Sequence, residues 1–578
     1  MREQFLYPFE CESPRFITDL GACTPAAALS PTATDDAWQV VDYETAEFNG
    51  RMICAQSLVQ APEVTLPLDA EGWHAVSIGF WPGIYYDSRI KYRFSDEEVF
   101  TVADYHDRPG AGGGPLQWNR TDLLETFPRY ADLTGQDLVL GKQNHSSQPY
   151  KAFIAYVKLE PLSEDQVRTI LDDRARNDTR RLLALIDGEG FFSSHVPHTK
   201  NEMLESVEPY RHSDVGVVFW GVNLGDLTYY PSKVGRFYYS KGGSYALQGR
   251  KEAADSLFEL ERRGIVPYQA ACEHAHSMGL EFHTYYRLSM YDHDGPCNLF
   301  STDSFFLKEH PECRIVAKDG TPLPKASYAF PETRNFMVSL MEEAMQTDID
   351  GVALCFIRGP EYFGYEEPVI DEFQRLHGED PRELPDDDPR LLDVRAGFMT
   401  ELVRQTRKAA DDHGRRRGRR IQVSAWLEFS DERMRYFCYD CYRWLEEELL
   451  DIVITENPPE LLRLAREKGC RIFQQQTGGS APPQEQVTSM QNAMVKGLDG
   501  IALWDLDAGQ YDPEKWVVVR RLGHVDEVAY SPHPNIRPYP KMKRRQLLSV
   551  HGQDMSQTET KAVPGGWPPE MLPVYSGG

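Results

Sequence analysis

The chain reads as an α/β protein, a (β/α)8 barrel preceded by an N-terminal β-sandwich of jelly-roll type. The first sign is the stretch 350–361 (DGVALCFIRGPE), an apolar run that hands over at once to a charged turn. That is how a buried parallel strand with polar residues at its carboxyl end reads. The second is repetition: eight such runs follow residue 181, most separated by segments of helical composition, over about 340 residues against the ~250 usual for the fold. The third is a change of texture over 38–160, where short alternating segments are broken by Gly, Pro and Asp clusters, as in antiparallel sandwiches.

Taken in order, the sandwich is expected within 1–162, on segments such as 73–78 (WHAVSI), 90–94 (IKYRF), 138–140 and 153–159 (FIAYVKL). Its Gly-rich stretch 109–115 is a loop. Trp73, Trp81, Tyr85, Tyr86 and Trp118 could stack on sugars, although aromatic rings in a sandwich more often build its core. A polar helical connector follows over 163–180, with Ser163 as N-cap before an acidic first turn. The barrel then occupies 181–530. Its strands are expected at 182–187, 215–221, 280–286, 351–356, 421–427, 451–455, 471–476 and 500–505. The Pro- and Gly-rich remainder, 531–578, is an extension expected to wrap the barrel or stay partly disordered.

Composition narrows the function. At 578 residues the chain exceeds what one core organises, so two domains are expected. The net charge of −27 argues against a nucleic-acid partner, because phosphate affinity comes from Lys and Arg. The one basic run, 415–420, reads as a solvated loop. No apolar run approaches the ~20 residues of a membrane span, so no membrane partner is expected. Residues 1–15 lack the apolar core of a secretory signal, which points to the cytoplasm unless a signal has been removed. Ten scattered cysteines fit reduced thiols, and the single CxxC, Cys438 to Cys441, lacks the two further ligands a structural zinc needs. No motif calls for a cofactor or a metal, and an oligomer is compatible with the sequence.

In such barrels the chemistry lies at the carboxyl ends of the strands. Asp187 and Glu189 follow the first strand, and Asn223 and Asp226 the second. His283, Tyr285 and Arg287 lie on or after the third, Cys355, Arg358 and Glu361 at the fourth, and Trp426 and Glu428 at the fifth. Glu456, Gln474, Trp504, Asp505 and Asp507 belong to the last three. Carboxylates, amides and aromatic rings converging on one mouth are the inventory of a sugar site, in which two carboxylates supply acid, base or nucleophile. Glu456, Glu361, Asp505 and Glu428 are the expected catalytic acids. Asp187, Asn223, His283, Tyr285, Arg287, Arg358, Trp426, Gln474 and Trp504 are the expected substrate contacts, and a carbohydrate is the expected partner.

Three stretches carry a family resemblance: 219–235 (FWGVNLGDLTYYPSKVG), 279–287 (GLEFHTYYR) and 350–360 (DGVALCFIRGP). Through them the chain resembles the bacterial family-ten-like glycosyl hydrolases over roughly 180–510. The resemblance implies a barrel glycosidase, a hydrolase of an oligo- or polysaccharide. It also implies an acidic residue where Cys355 stands, and the seventh strand ends in glutamines rather than the glutamate nucleophile of the largest barrel-glycosidase clan. Two other expectations therefore accompany hydrolysis: a glycan-binding protein on a degenerate barrel, and a uronate polysaccharide lyase.

Overall fold

The computed structural model describes residues 9, 13–82, 88–105, 122–145, 150–238, 248–292, 304–357, 361–427, 430–456, 459–477, 481–528 and 542–555. They form two compact units, one of residues 1–179, 208–213 and 509–578, the other of 180–207 and 214–508.

The first unit is built on two sheets, of ten and four strands, almost wholly antiparallel. Its alternating segments pair as a half-buried sheet should: Trp73–Phe80 runs against Ala152–Pro161, and Ser88–Phe94 against both Leu138–Gly141 and Thr101–Tyr105. Trp38, Ile78, Phe80, Ile90, Leu124, Leu138 and Ile154 share one buried core. The expected connector is the helix Glu164–Arg174, with Ser163 and Gln166 forming a reciprocal capping box.

The C-terminal region departs from the expectation. Rather than wrapping the barrel, Lys543–Val550 is a strand of the ten-stranded sheet, paired antiparallel with Trp38–Thr45 and with Asp122–Glu125. Leu547 is buried among Tyr43, Met52, Leu123 and Tyr156, and Arg545 lies against the rings of Phe16 and Tyr156. The segment has the alternation of a strand, but its partners lie hundreds of residues away, where local composition carries no signal. Residues 509–528 likewise cluster with this unit rather than with the barrel expected to run to 530.

The second unit is a closed eight-stranded parallel barrel of Leu182–Ile186, Val215–Gly221, Glu281–Arg287, Gly351–Cys355, Gln422–Trp426, Ile452–Thr455, Arg471–Thr477 and Gly500–Trp504. Strand register decides which side chains face the lumen. Pairing of Val217 with Glu281, Tyr285 with Ala353, Trp426 with Ile454 and Phe473 with Gly500 puts 281, 283, 285 and 287 inward, together with 422, 424 and 426 and with 471, 473 and 475. The basic run 415–420 is not a solvated loop. It closes the long helix Pro389–Arg417, and its arginines pair with Asp348, Asp350 and Asp451 near the strand starts.

Candidate active site

The mouth is assembled from the first, second, third and eighth strands. Asp187 ends the first strand and precedes the helix Gly188–His195; its Oδ2 accepts from Arg287 Nη2 at 2.7 Å. Close approach of the first two strands requires glycine here, since a Cβ on Gly188 would lie 2.4 Å from the Gly221 carbonyl oxygen. The segment after the second strand folds back as a small sheet of Asn223–Leu224, Leu227–Thr228 and Arg236–Phe237. It delivers two buried tyrosines, Tyr229 and Tyr238, packed edge to face. Tyr238 Oη donates to Glu189 Oε1 at 3.1 Å. The Tyr229 hydroxyl, buried near Glu189 and Asp187, has no hydrogen-bond partner among the described residues.

The eighth strand ends at Trp504, and Asp505 takes a left-handed conformation with φ of 48°. Aspartate tolerates that region better than most side chains, and the turn brings Asp507 back over the first turn of the helix after Asp187. A Cβ on Gly190 would stand 3.2 Å from Asp507 Oδ2. Burial, and then the charges of Asp187 and Asp505, push the Asp507 carboxyl well above the usual range, although backbone N–H groups of residues 507 and 187 oppose the shift. Asp507 is therefore pushed toward its protonated form relative to an ordinary carboxyl. Burial works against the Arg287 charge, yet Asp187, Tyr285 and Tyr229 beside it raise its pKa.

Beneath the acids lies an aromatic floor. Trp504 is edge to face with both Tyr285, at 6.0 Å between centroids, and Trp426, at 5.1 Å. Trp426 Nε1–H donates to Gln475 Oε1, and Tyr285 Oη–H donates to Cys355 Sγ. Cys355 is fully buried.

The expected site residues divide accordingly. Asp187, Asp505, Tyr285, Arg287, Trp426 and Trp504 come together. Asn223 is turned to the backbone: it is 1% exposed, its Oδ1 accepts from the Arg287 backbone N–H, and its Nδ2 donates to the carbonyls of Gly225 and Arg287. It clamps the second strand to the third. His283 is also no mouth residue, being buried two positions below Tyr285, stacked on Phe219 and 3.1 Å from Ser424 Oγ. Gln474 points out of the lumen toward Lys496, at 3.4 Å. Glu456 is exposed at the end of the sixth strand. Glu361 is 65% exposed, 3.8 Å from Lys325 Nζ. Arg358 and Glu428 lie outside the described residues, as do Tyr85, Tyr86 and Trp118.

Expectation had passed over Gln475 and the rank of Asp507. Strand alternation singles out Gln475, because it shares the parity of Phe473. The pairing of Asp507 with Asp187 depends on a turn no local pattern announces. Lys325, on the hairpin strand Pro322–Ala326, was not expected either: it is buried over the rings of Tyr362 and Tyr291, and burial brings its pKa down to about 8 against the pull of Glu361.

A closed barrel with clustered carboxylates above an aromatic floor fits a carbohydrate-active class of site. Residues 193–457 match the family model of glycosyl hydrolase-like 10, so the resemblance carried by the sequence motifs holds and this stretch is glycosidase-like. No curated protein matches the chain. Solved structures that align with it include an alpha-galactosidase of Thermus thermophilus, at 11% identity and TM-score 0.32, covering 85% of this chain and 95% of that one. A glycoside hydrolase family 18 N-acetylglucosaminidase of Paenibacillus barengoltzii aligns at 10% identity and TM-score 0.32, over 59% and 99% of the two chains. A cycloalternan-degrading enzyme of Trueperella pyogenes aligns at 12% and 0.33, over 87% and 66%.

Proposed function

We propose that the barrel mouth hydrolyses glycosidic bonds of an oligo- or polysaccharide, with Asp507 as the general acid and Asp187 or Asp505 as the base or nucleophile. The observation that carries this reading is the Asp507 carboxyl, set over the first turn of the helix after Asp187 and pushed up in pKa by burial and by two neighbouring acids. A general acid must keep its proton at working pH and lose it to the leaving oxygen, and a carboxylic acid crowded by carboxylates is suited to that. Asp187 is fixed by its ion pair with Arg287, which sets its orientation beside the donor. Trp504 supplies an aromatic face of the kind that packs on sugar C–H groups.

The test is a mass-spectrometric screen of a broad glycan panel, including uronic-acid and sulfated polymers, with wild type, Asp507→Asn and Glu456→Gln. Hydrolysis by wild type and by Glu456→Gln, reduced ~10²- to 10⁴-fold in Asp507→Asn, is the expected result. Turnover that survives in Asp507→Asn but not in Glu456→Gln would move the acid to the sixth strand. Unsaturated products would identify a lyase.

A second reading, glycan binding without turnover, draws on Cys355. Where the resemblance implies an acid, the structure has a buried thiol bonded to Tyr285. Measurable binding of a glycan that no preparation cleaves would select it.

A further inference from the structure

The first unit contains a cavity of about 460 Å³, within the size range of small-ligand sites. Its wall draws on the strands Ser88–Phe94 and Arg129–Asp132, the connector helix Glu164–Arg174, the turn at 208–212 and the helix Pro513–Val519. Five arginines line it, and three are committed to carboxylates. Arg129 pairs with Glu97, Arg211 with Glu208 at 2.6 Å, and Arg521 with Asp173 at 2.7 Å and Glu527 at 2.6 Å.

The other two are not. Arg174 donates to the Tyr130 carbonyl at 2.8 Å and lies 5.4 Å over the Trp73 ring, with no ion pair among the described residues. The Arg520 guanidinium makes neither a hydrogen bond nor an ion pair among the described residues; burial, and then the charge of Arg521, bring its pKa down against the pull of Tyr130, Tyr92 and Asp173. The remaining lining acids do not answer them: Asp96 is exposed, and Asp132 is exposed and accepts from Thr134. Burial, followed by the charges of Arg129 and Arg520, brings the Arg174 pKa down to about 10 against the pull of Asp173, whose carboxylate is already bonded to Arg521.

We propose that this cavity is a ligand site of the first unit, separate from the barrel mouth, for an acidic sugar whose carboxylate or sulfate lies between Arg174 and Arg520 and whose ring meets the aromatic wall. Guanidinium groups bind such anions bidentately, and an anion here would satisfy two cations at once. Trp73, Tyr130 and Trp516 supply the apolar faces that distinguish a sugar acid from a bare anion. The proposal does not rest on the barrel being catalytic.

The experiment is calorimetric titration of the full chain with three probes: a galacturonate trimer, cellotriose and inorganic sulfate. It uses wild type, Arg520→Gln, Arg174→Gln and Asp187→Asn, each checked by its melting temperature. Expected is binding of the galacturonate trimer that falls at least tenfold in each arginine variant that folds and persists in Asp187→Asn, with cellotriose and sulfate much weaker. Trimer binding unchanged in folded Arg520→Gln and Arg174→Gln overturns the proposal, as does its loss in Asp187→Asn, which would place the sugar at the barrel mouth. Sulfate binding as tightly as the trimer would overturn the sugar assignment, and no binding of any probe to folded wild type would overturn the site.

Discussion

The two ends of the barrel neutralise their carboxylates in different ways. Around the strand starts three are met by cations: Glu281 by Arg471 at 2.6 Å, Asp350 by Arg419 at 2.7 Å, and Asp451 by Arg407 at 2.9 Å and Arg420 at 2.7 Å. At the mouth Arg287 holds Asp187, while burial and the neighbouring Asp187 and Asp505 push the Asp507 carboxyl toward its protonated form. A guanidinium stays where the fold puts it, whereas a proton can be handed to a substrate and recovered. The difference separates carboxylates that build the barrel from carboxylates equipped to do chemistry.

The largest effect should come from removing that proton. In Asp507→Asn, kcat/KM on a substrate found in the glycan screen should fall ~10²- to 10⁴-fold without loss of fold. Glu281→Gln, at the other end, should leave kcat/KM within about threefold and cost roughly 1 kcal/mol of stability, a figure kept low because Glu281 is partly exposed. Equal kinetic losses in the two variants would erase the distinction.

Next in size is Asp187, a mouth carboxylate that does use a cation. Arg287→Leu strips Asp187 of its partner in a mostly buried setting, and removing one member of such a pair costs about 3 kcal/mol. Adding Asp187→Asn should recover more than half of that loss in denaturant unfolding. Additive losses would mean that the pair is not coupled.

The contrast was only half legible in the sequence. Most of the eight strands are visible as apolar runs because a parallel barrel strand is buried on both faces, and 215–221 agrees with its strand to the residue. The runs end a residue or so from the observed strands because the ladder, not hydrophobicity, sets the limits: 280–286 becomes Glu281–Arg287. Asp187, Arg287, Trp426, Trp504 and Asp505 could be placed at the mouth end from position alone, since the last residue of a barrel strand and the one after it lie there. Asn223 and His283 misled for one reason: residue type shows what a side chain can bond, not that Arg287 or Ser424 already uses that capacity. Asp507 was one of several trailing acids until the left-handed turn at Asp505 brought it against Asp187.

The two ends should also respond to pH with opposite signs. Asp507 is raised in the folded chain, so its contribution is complete below the unfolded carboxylate value near 3.8 and is lost as pH rises through the folded value. Burial opposes the Glu281 charge, but His283 nearby and the bonded Arg471 hold its pKa down at about 2. Its contribution is therefore present above the unfolded value of 4.5 and is lost as pH falls toward 2. Asn mimics the protonated acid, so Asp507→Asn should melt above wild type by roughly 1–3 °C in mildly alkaline buffer, with no gain near pH 4. Scanning calorimetry across pH checks this, and a gain independent of pH would mean that Asp507 is not held neutral.

The smallest effect tests the lumen itself. Gln474 and Gln475 are chemically identical neighbours on the seventh strand, separated only by strand alternation. Gln475 accepts from Trp426 Nε1–H, and its loss in Gln475→Leu leaves a buried donor without a partner, at about 1 kcal/mol. Because Trp426 meets Trp504 edge to face, its displacement should also raise KM more than it lowers kcat, the pattern of lost binding rather than lost chemistry. Gln474→Leu breaks a long contact with Lys496 outside the lumen and should change stability by less than about 0.5 kcal/mol, with both kinetic constants intact. If Gln474→Leu proved the more damaging of the two, the inward parity of the seventh strand would be wrong, and with it the aromatic floor on which the mouth carboxylates stand.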